Sequence, residues 1–261
     1  MANRHLDTVL FLQNNPAGFD AYTSALGAGR VMAGFPVMGG QRDDPVMRVL
    51  PFGPVPIPIG EADGSVTDRT RAVAALLERM DGHRVQIRRD MDAWLVTHVP
   101  AIGVFLGLYA VEADVERYAR TRDARLLGVR AQREALRAQH AAGIPITPSW
   151  SQAVRAVPEP VLVAQLGALA PTEVFEVAVA AHARDGREEM AYVLDEYLER
   201  VASGGVATPA LDRLVAHAHG TAAPLPDGSQ EEDLRWGGVA ALVGLALGSL
   251  VVRRFARRRG R

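Results

Sequence analysis

The spacing of apolar residues along this chain changes character near residue 90. Before that point short β-branched runs alternate with turns, and after it apolar positions recur at helical spacing for roughly a hundred residues. Residues 8–12 predict a buried strand, ended by the turn cluster Gln13-Asn14-Asn15-Pro16-Ala17-Gly18. Residues 19–26 suit one short helix stopped by Gly27 and Gly29, and residues 30–35 a second strand. Residues 36–44 read as a glycine-rich loop. Residues 46–50 and 56–60 read as antiparallel edge strands, because proline is tolerated only at such edges. Thr67 caps a predicted helix with Val73, Leu76, Leu77 and Met80 on one face, and residues 84–88 form one more strand.

The junction is Asp90-Met91-Asp92-Ala93-Trp94-Leu95-Val96-Thr97-His98, continuing as an apolar body to Val111. Asp90 and Asp92 read as the acidic N-terminus of a helix that enters a core and joins the two halves. Beyond it, one long amphipathic helix is expected over residues 114–139, stopped near Gly143-Ile144-Pro145. Shorter helices fit residues 158–169, 171–183, 187–201 and 209–217. Within 187–201, Met190, Val193, Leu194, Tyr197, Leu198 and Val201 form a continuous buried stripe. Residues 221–232 read as a polar, Pro- and Gly-bearing linker, and no internal repeat is present. The class is therefore α/β plus all-α, with boundaries at 1–89, 90–220, 221–232 and 233–261. The groove between two such halves is where a ligand is expected.

Composition narrows the chemistry more than the class. Apolar content of 48% and a net charge of −1 describe an ordinary globular chain with no overall pull toward nucleic acid. Cysteine is absent, which excludes disulfides, thiolate catalysis and thiolate metal sites. All 29 basic residues are arginine, so no ε-amino group is available as acid, base or Schiff-base former. The opening residues 1–7 run into a strand-like segment and carry no secretory signal pattern.

The far end is different. Residues 236–252 are an uncharged run of seventeen, rich in Gly, Ala, Leu and Val, followed by six arginines before the end. As a helix the run spans roughly 25 Å, against about 30 Å of hydrocarbon, and Arg253 and Arg254 can snorkel to make up the difference. The expectation is a membrane helix with an arginine-rich tail, either crossing the bilayer or lying on the anionic inner leaflet, that attaches a cytoplasmic protein to the inner membrane. Gly244-Leu245-Ala246-Leu247-Gly248 matches the G-x-x-x-G pattern by which two membrane helices pair, which suggests a homodimer. His217-Ala218-His219 is an H-x-H pair with no third ligand nearby, and no metal is expected there.

Several segments in fixed order carry a family resemblance. They are Leu12-Gln13-Asn14-Asn15-Pro16-Ala17-Gly18, Arg30-Val31-Met32-Ala33-Gly34-Phe35-Pro36, Ile59-Gly60-Glu61-Ala62-Asp63-Gly64 and Asp92-Ala93-Trp94-Leu95. In the second half they continue with Glu188-Glu189-Met190, Gly205-Val206-Ala207-Thr208-Pro209 and Leu211-Asp212-Arg213-Leu214. Over roughly residues 8–215 the chain resembles the ketopantoate reductase (2-dehydropantoate 2-reductase) family. The resemblance implies a partial Rossmann-like sheet, an N-terminally truncated dinucleotide-binding domain, followed by a helical ketopantoate-reductase-type domain. It also implies NADPH as cofactor and a small 2-oxo acid as substrate, reduced to the 2-hydroxy acid with a lysine as general acid.

The residues depart from that pattern at two places and keep it at two. The glycine-rich fingerprint that must follow a strand and open a helix is absent; Gly34 through Gly40 precede no predicted helix. The lysine position is Val96, and the family's hinge asparagine falls at Pro100. His98 is a candidate proton donor, although two residues of helix turn it roughly opposite to Val96; the plainer reading is a packing histidine. Asn14 matches the family's asparagine beside cofactor and substrate, against a plain turn-capping role. Glu189, counted back from Pro209, matches the carboxylate that the helical domain sends into the cleft, against a solvated glutamate. The expectation is a reductase-like chain impaired or inactive as written; the alternative is a membrane-attached, non-enzymatic binding or scaffold protein.

Overall fold

The computed structural model describes residues 5–51, 55–80, 82–103 and 105–236. The run 237–252 and the arginine tail, read above as a membrane helix, lie outside the described residues. The first half holds β1 (Val9–Leu12), α1 (Asp20–Leu26), β2 (Val31–Gly34), a hairpin of β3 (Met38–Asp43) and β4 (Val46–Pro51), β5 (Ile57–Glu61), α2 (Asp68–Leu77) and β6 (Val85–Ile87). Its main sheet has the order β1-β2-β5-β6. β1 and β2 are parallel, with Val9 opposite Val31. β5 lies antiparallel to β2, with Ala33 opposite Gly60, and β6 is parallel to β5. Two βαβ units thus sit side by side in opposite directions.

Continuous burial explains why β2 and β5 read as apolar runs, for both faces of the sheet are covered there; β1, expected to be buried, is an edge strand and only half-buried. Val31 and Ala33 pack with Phe19, Met91 and Leu95 on one face. Met32, Ile57, Ile59 and Ala74 pack on the other, beneath α2. α2 begins as predicted, with Thr67 Oγ1 accepting from Thr70 N in a reciprocal capping box. Leu76 and Met80 are off that face, however, at 61% and 39% exposure.

Two strand expectations are corrected. Residues 36–44 are not a loop, because Met38–Asp43 pairs in antiparallel register with Val46–Pro51, Gly39 opposite Leu50. β5 is not an edge strand, for it lies between β2 and β6. Pro58 is tolerated there because its register falls just past the end of β2. Phe35 N–H donates to the Pro58 carbonyl at 3.1 Å, and the Phe35 carbonyl, which a Pro58 N–H would otherwise reach, accepts from Val37 N at 3.1 Å. Gly60 is required by close approach, since a Cβ there would run into the Arg88 carbonyl oxygen and lie 2.8 Å from Met91 Cγ.

The second half is helical: α3 (Met91–Gly103), α4 (Val115–Arg120), α5 (Arg122–Ala141), α6 (Glu159–Leu169), α7 (Glu173–Phe175), α8 (Ala181–Asp185), α9 (Arg187–Val201) and α10 (Pro209–Ala218). A 3-10 segment, Leu106–Val111, follows α3, and a π-helical segment, Glu176–Ala180, joins α7 to α8. The single long helix expected over 114–139 breaks at Thr121, which is extended and fully buried. Its hydroxyl accepts from Gly228 N at 3.1 Å, a contact 107 positions away with no local signature. The stripe on α9 packs as predicted, and Tyr197 donates its hydroxyl to the Ala135 carbonyl at 2.8 Å. α10 starts at Pro209, and its next two amides, Ala210 and Leu211, donate to Glu134 Oε2 at 2.7 and 3.0 Å. A carboxylate from α5 therefore caps a helix 76 positions later.

Among the described residues, Met91–Val111 is long and apolar enough to cross a membrane, yet 71% of its apolar window is buried inside the protein. It is the core element on which both halves rest. Residues 221–236 run as a strap along α4, α5 and α6: Leu225 N bonds the Ala110 carbonyl at 2.8 Å, Glu231 N bonds Asp123 Oδ2 at 2.8 Å, and Arg235 N bonds Glu159 Oε2 at 3.1 Å. The strap's Glu232 pairs with Arg130 and Arg213, each at 2.9 Å.

Candidate functional site

A cavity of about 610 Å³ lies between the halves, within the size range of small-molecule sites. The sheet side contributes the end of β1, the Phe35-Pro36 exit of β2 and the first residues of β3. The helical side contributes α3, the 3-10 segment, the α7–π–α8 stretch and the start of α9. π-helical turns of this kind recur at functional sites, because the extra residue re-aims neighbouring side chains. All three residues singled out in the sequence, Asn14, His98 and Glu189, line this one cavity.

Asn14 and Glu189 meet across it, Asn14 Nδ2 donating to Glu189 Oε1 at 3.3 Å although they stand 175 positions apart. The turn-capping role belongs to the neighbour: Asn15 Nδ2 donates to the Gly18 carbonyl at 2.8 Å and closes the turn after β1. That frees Asn14 to face the cleft. Its Oδ1 is buried and has no hydrogen-bond partner among the described residues. Glu189 lies in the first turn of α9, where the helix amides favour a carboxylate.

His98 stacks on Trp94 at 5.2 Å and lies 4.0 Å from the Phe35 ring centroid. Burial pushes it down to about 4, so the ring is neutral at pH 7 and holds no imidazolium proton to give. The packing role and the cavity-lining role therefore coincide in one residue. Val96, the position assigned to the family's lysine, is fully buried in the helical core and does not line the cavity; Pro100 is likewise buried within α3.

Tyr109 is a lining residue that the sequence reading missed. It is 2% exposed, and its hydroxyl has no partner among the described residues. Arg187 sits over its ring at 4.9 Å. Burial raises the phenol above its ordinary range; Arg187 opposes this and Glu189 adds to it. The available signal was one polar-tipped residue inside an otherwise apolar run, a weak one. Asp185, also lining, carried no signal at all.

The acids at the start of α3 act at longer range than capping. Asp90 holds Arg88 at 2.8 Å and accepts from Thr147 Oγ1 at 2.6 Å. Asp92 pairs with Arg200 of α9 at 2.7 Å. Both tie the junction helix to elements far along the chain. Of the H-x-H pair, His219 contacts Asp195 at 3.0 Å while His217 is buried in α10, and no group of three metal-ligating side chains is found among the described residues.

The residues described do not fit the pyrophosphate of a dinucleotide. The glycine-rich run is a hairpin strand rather than a turn that opens a helix. α1, which does follow a strand, has seven residues, an acid in its first turn and no base in its last. A larger groove of about 870 Å³, at the opposite end of β1 and β2, is lined by Asp7, Asp20, Glu61, Asp63 and Asp92 against Arg69 and Arg200. Both arginines are engaged, with Glu61 and Asp92. Burial alone would raise Glu61, but hydrogen bonds from Arg69, Thr67 and Thr70 outweigh it and hold the carboxyl below its usual range. A phosphate would meet anions there.

The architecture defines a class: a Rossmann-like sheet facing a helical domain across a cleft of ligand size. Among solved structures, the chain is similar to the crystal structure of 2-dehydropantoate 2-reductase from Geobacter metallireducens GS-15, with a TM-score of 0.62 and 18% identity over 82% of this chain and 68% of that one. No family model matches the sequence, and no curated protein matches it. The fold that the sequence resemblance implied is the fold observed, and at that identity the likeness speaks for architecture alone.

Proposed function

We propose that this chain is a reductase-like binding protein that holds a small molecule in the cavity between its two halves and does not itself carry out hydride transfer. The observation that supports this best is the meeting of Asn14 and Glu189 at 3.3 Å on the wall of the cavity. Unpaired polar atoms at such a wall are what a ligand satisfies. Reduction of a 2-oxo acid needs hydride from a bound nicotinamide and a proton for the nascent alkoxide. The first would require a pyrophosphate seat that the described residues do not form. The second would require an acid where Val96 is buried hydrocarbon and His98 is neutral.

The test mixes the full chain with NADPH and a panel of 2-oxo acids, including 2-dehydropantoate, the compound named in the similar structure. The cofactor's absorbance and the acid's disappearance are followed together. No turnover is expected. NADPH oxidation in step with loss of an oxo acid would sink the proposal. We also propose attachment to the cytoplasmic face of the inner membrane, with self-pairing into a homodimer; this reading is favoured by the apolar run 236–252 and the six arginines behind it.

A further inference from the structure

We propose that the cavity takes an apolar amine, a small molecule with a hydrocarbon body and an ammonium group held between Glu189 and Asn14, and turns carboxylates away. This rests on the reading of the cavity as a binding site and adds the charge of what it binds.

The inference comes from a charge inventory of the walls. Among the described residues the lining carries two carboxylates, Asp185 and Glu189, two histidines, His98 and His182, and no arginine, in a chain that has no lysine. Glu189 makes no ion pair among the described residues, and it accepts a hydrogen bond from Asn14. The nearest guanidinium in sequence, Arg187, is committed elsewhere. It donates to the His217 carbonyl at 3.0 Å and covers the Tyr109 ring. A carboxylate ligand would face two like charges, both solvent-exposed, with no arginine on the wall to receive it. An ammonium would supply the missing cation.

Hydrogen-bond capacity points the same way. An ammonium has three donors and no acceptor. The Glu189 carboxylate lines the space, and the Asn14 amide that touches it has a buried Oδ1 with no partner among the described residues. His98, neutral, offers a ring lone pair rather than a positive charge. The rings of Phe35 and Tyr109 also line the space. The remaining wall, with Met38, Ile102, Phe105 and Val174 among its members, is suited to a hydrocarbon body.

The test titrates the purified full chain with n-hexylamine, 1-hexanol and hexanoate at neutral pH by ligand-observed NMR. Hexylamine is expected to bind tightest and hexanoate at least about tenfold weaker, the scale of one charge-assisted hydrogen bond. Glu189→Gln, at a partly open helix start, should keep its melting temperature and its hexanol affinity while the advantage of hexylamine over hexanol disappears. Hexanoate binding as tightly as hexylamine would overturn the inference and leave the cavity a binding site. An intact amine advantage in Glu189→Gln would overturn it as well. Failure of all three compounds to bind would overturn the binding reading itself, and the inference with it.

Discussion

Thr97 is the side chain whose loss the junction helix should feel most. It is 2% exposed, and its hydroxyl donates to the Ala93 carbonyl at 2.8 Å. The same oxygen accepts from Gln139 Nε2 at 2.7 Å and from Thr147 N at 3.1 Å. Gln139 keeps a second bond, to the Pro145 carbonyl at 3.0 Å, so it would lose one of two. Thr97→Val preserves the shape and removes the acceptor. Two donors are then left dry at about 1–3 kcal/mol each, offset by about 1 kcal/mol from the added apolar contact. The net expected loss is about 1–5 kcal/mol. The matching control, Thr97→Ser, keeps the oxygen and deletes a methyl, for about 1 kcal/mol. Urea unfolding followed by tryptophan fluorescence and circular dichroism measures both. If the valine variant is no less stable than the serine variant, the oxygen is not the node described here.

The pH dependence of stability should carry the signature of His98. The unfolded ring takes a proton near pH 6.5 and the folded one only at about 4, so this contribution is fully present above about 6.5 and lost as pH falls through that window. His217, lowered by burial and by Arg213 and Arg187, adds in the same direction, so the test is a difference: His98→Gln should flatten the curve relative to the parent, and equal slopes would refute the assignment. At Gly107, a Cβ would strike the Ala124 carbonyl oxygen and lie 3.4 Å from Gly128 N, pressing the 3-10 segment off α5. Gly107→Ala should therefore cost about 1–3 kcal/mol or more in thermal unfolding, and a neutral result would show that the two backbones can separate freely.

Local pattern carried the elements that local physics decides. The β1 and β2 runs, the Thr67 cap and the α9 stripe are each written within a dozen or so residues. What failed was pairing at a distance. Gly39 and Gly40 have no side chains to alternate, so the hairpin of β3 and β4 left no period to read. Pro58 signalled an edge, but its freedom depends on where β2 happens to stop. The break at Thr121 depends on a strap residue, Gly228, and the cap of α10 on Glu134. The cavity divides along the same line. Asn14 and Glu189 came from a resemblance spread over ordered segments, and the structure brings them together. Tyr109 and Asp185 belong to the lining only once the chain has folded.

The strap over residues 221–236 changes where this molecule ends. Among the described residues regular secondary structure stops at Ala218, but the polypeptide goes on satisfying the interior of α5: Asp123, 4% exposed, has its carboxylate filled by Ser229, Glu231 and Glu232. Tension on the chain beyond Trp236 would be transmitted first to those ties and to the Arg130–Glu159 pair beneath them, not to α10. α10 is thus sheltered from whatever the chain beyond it is fastened to.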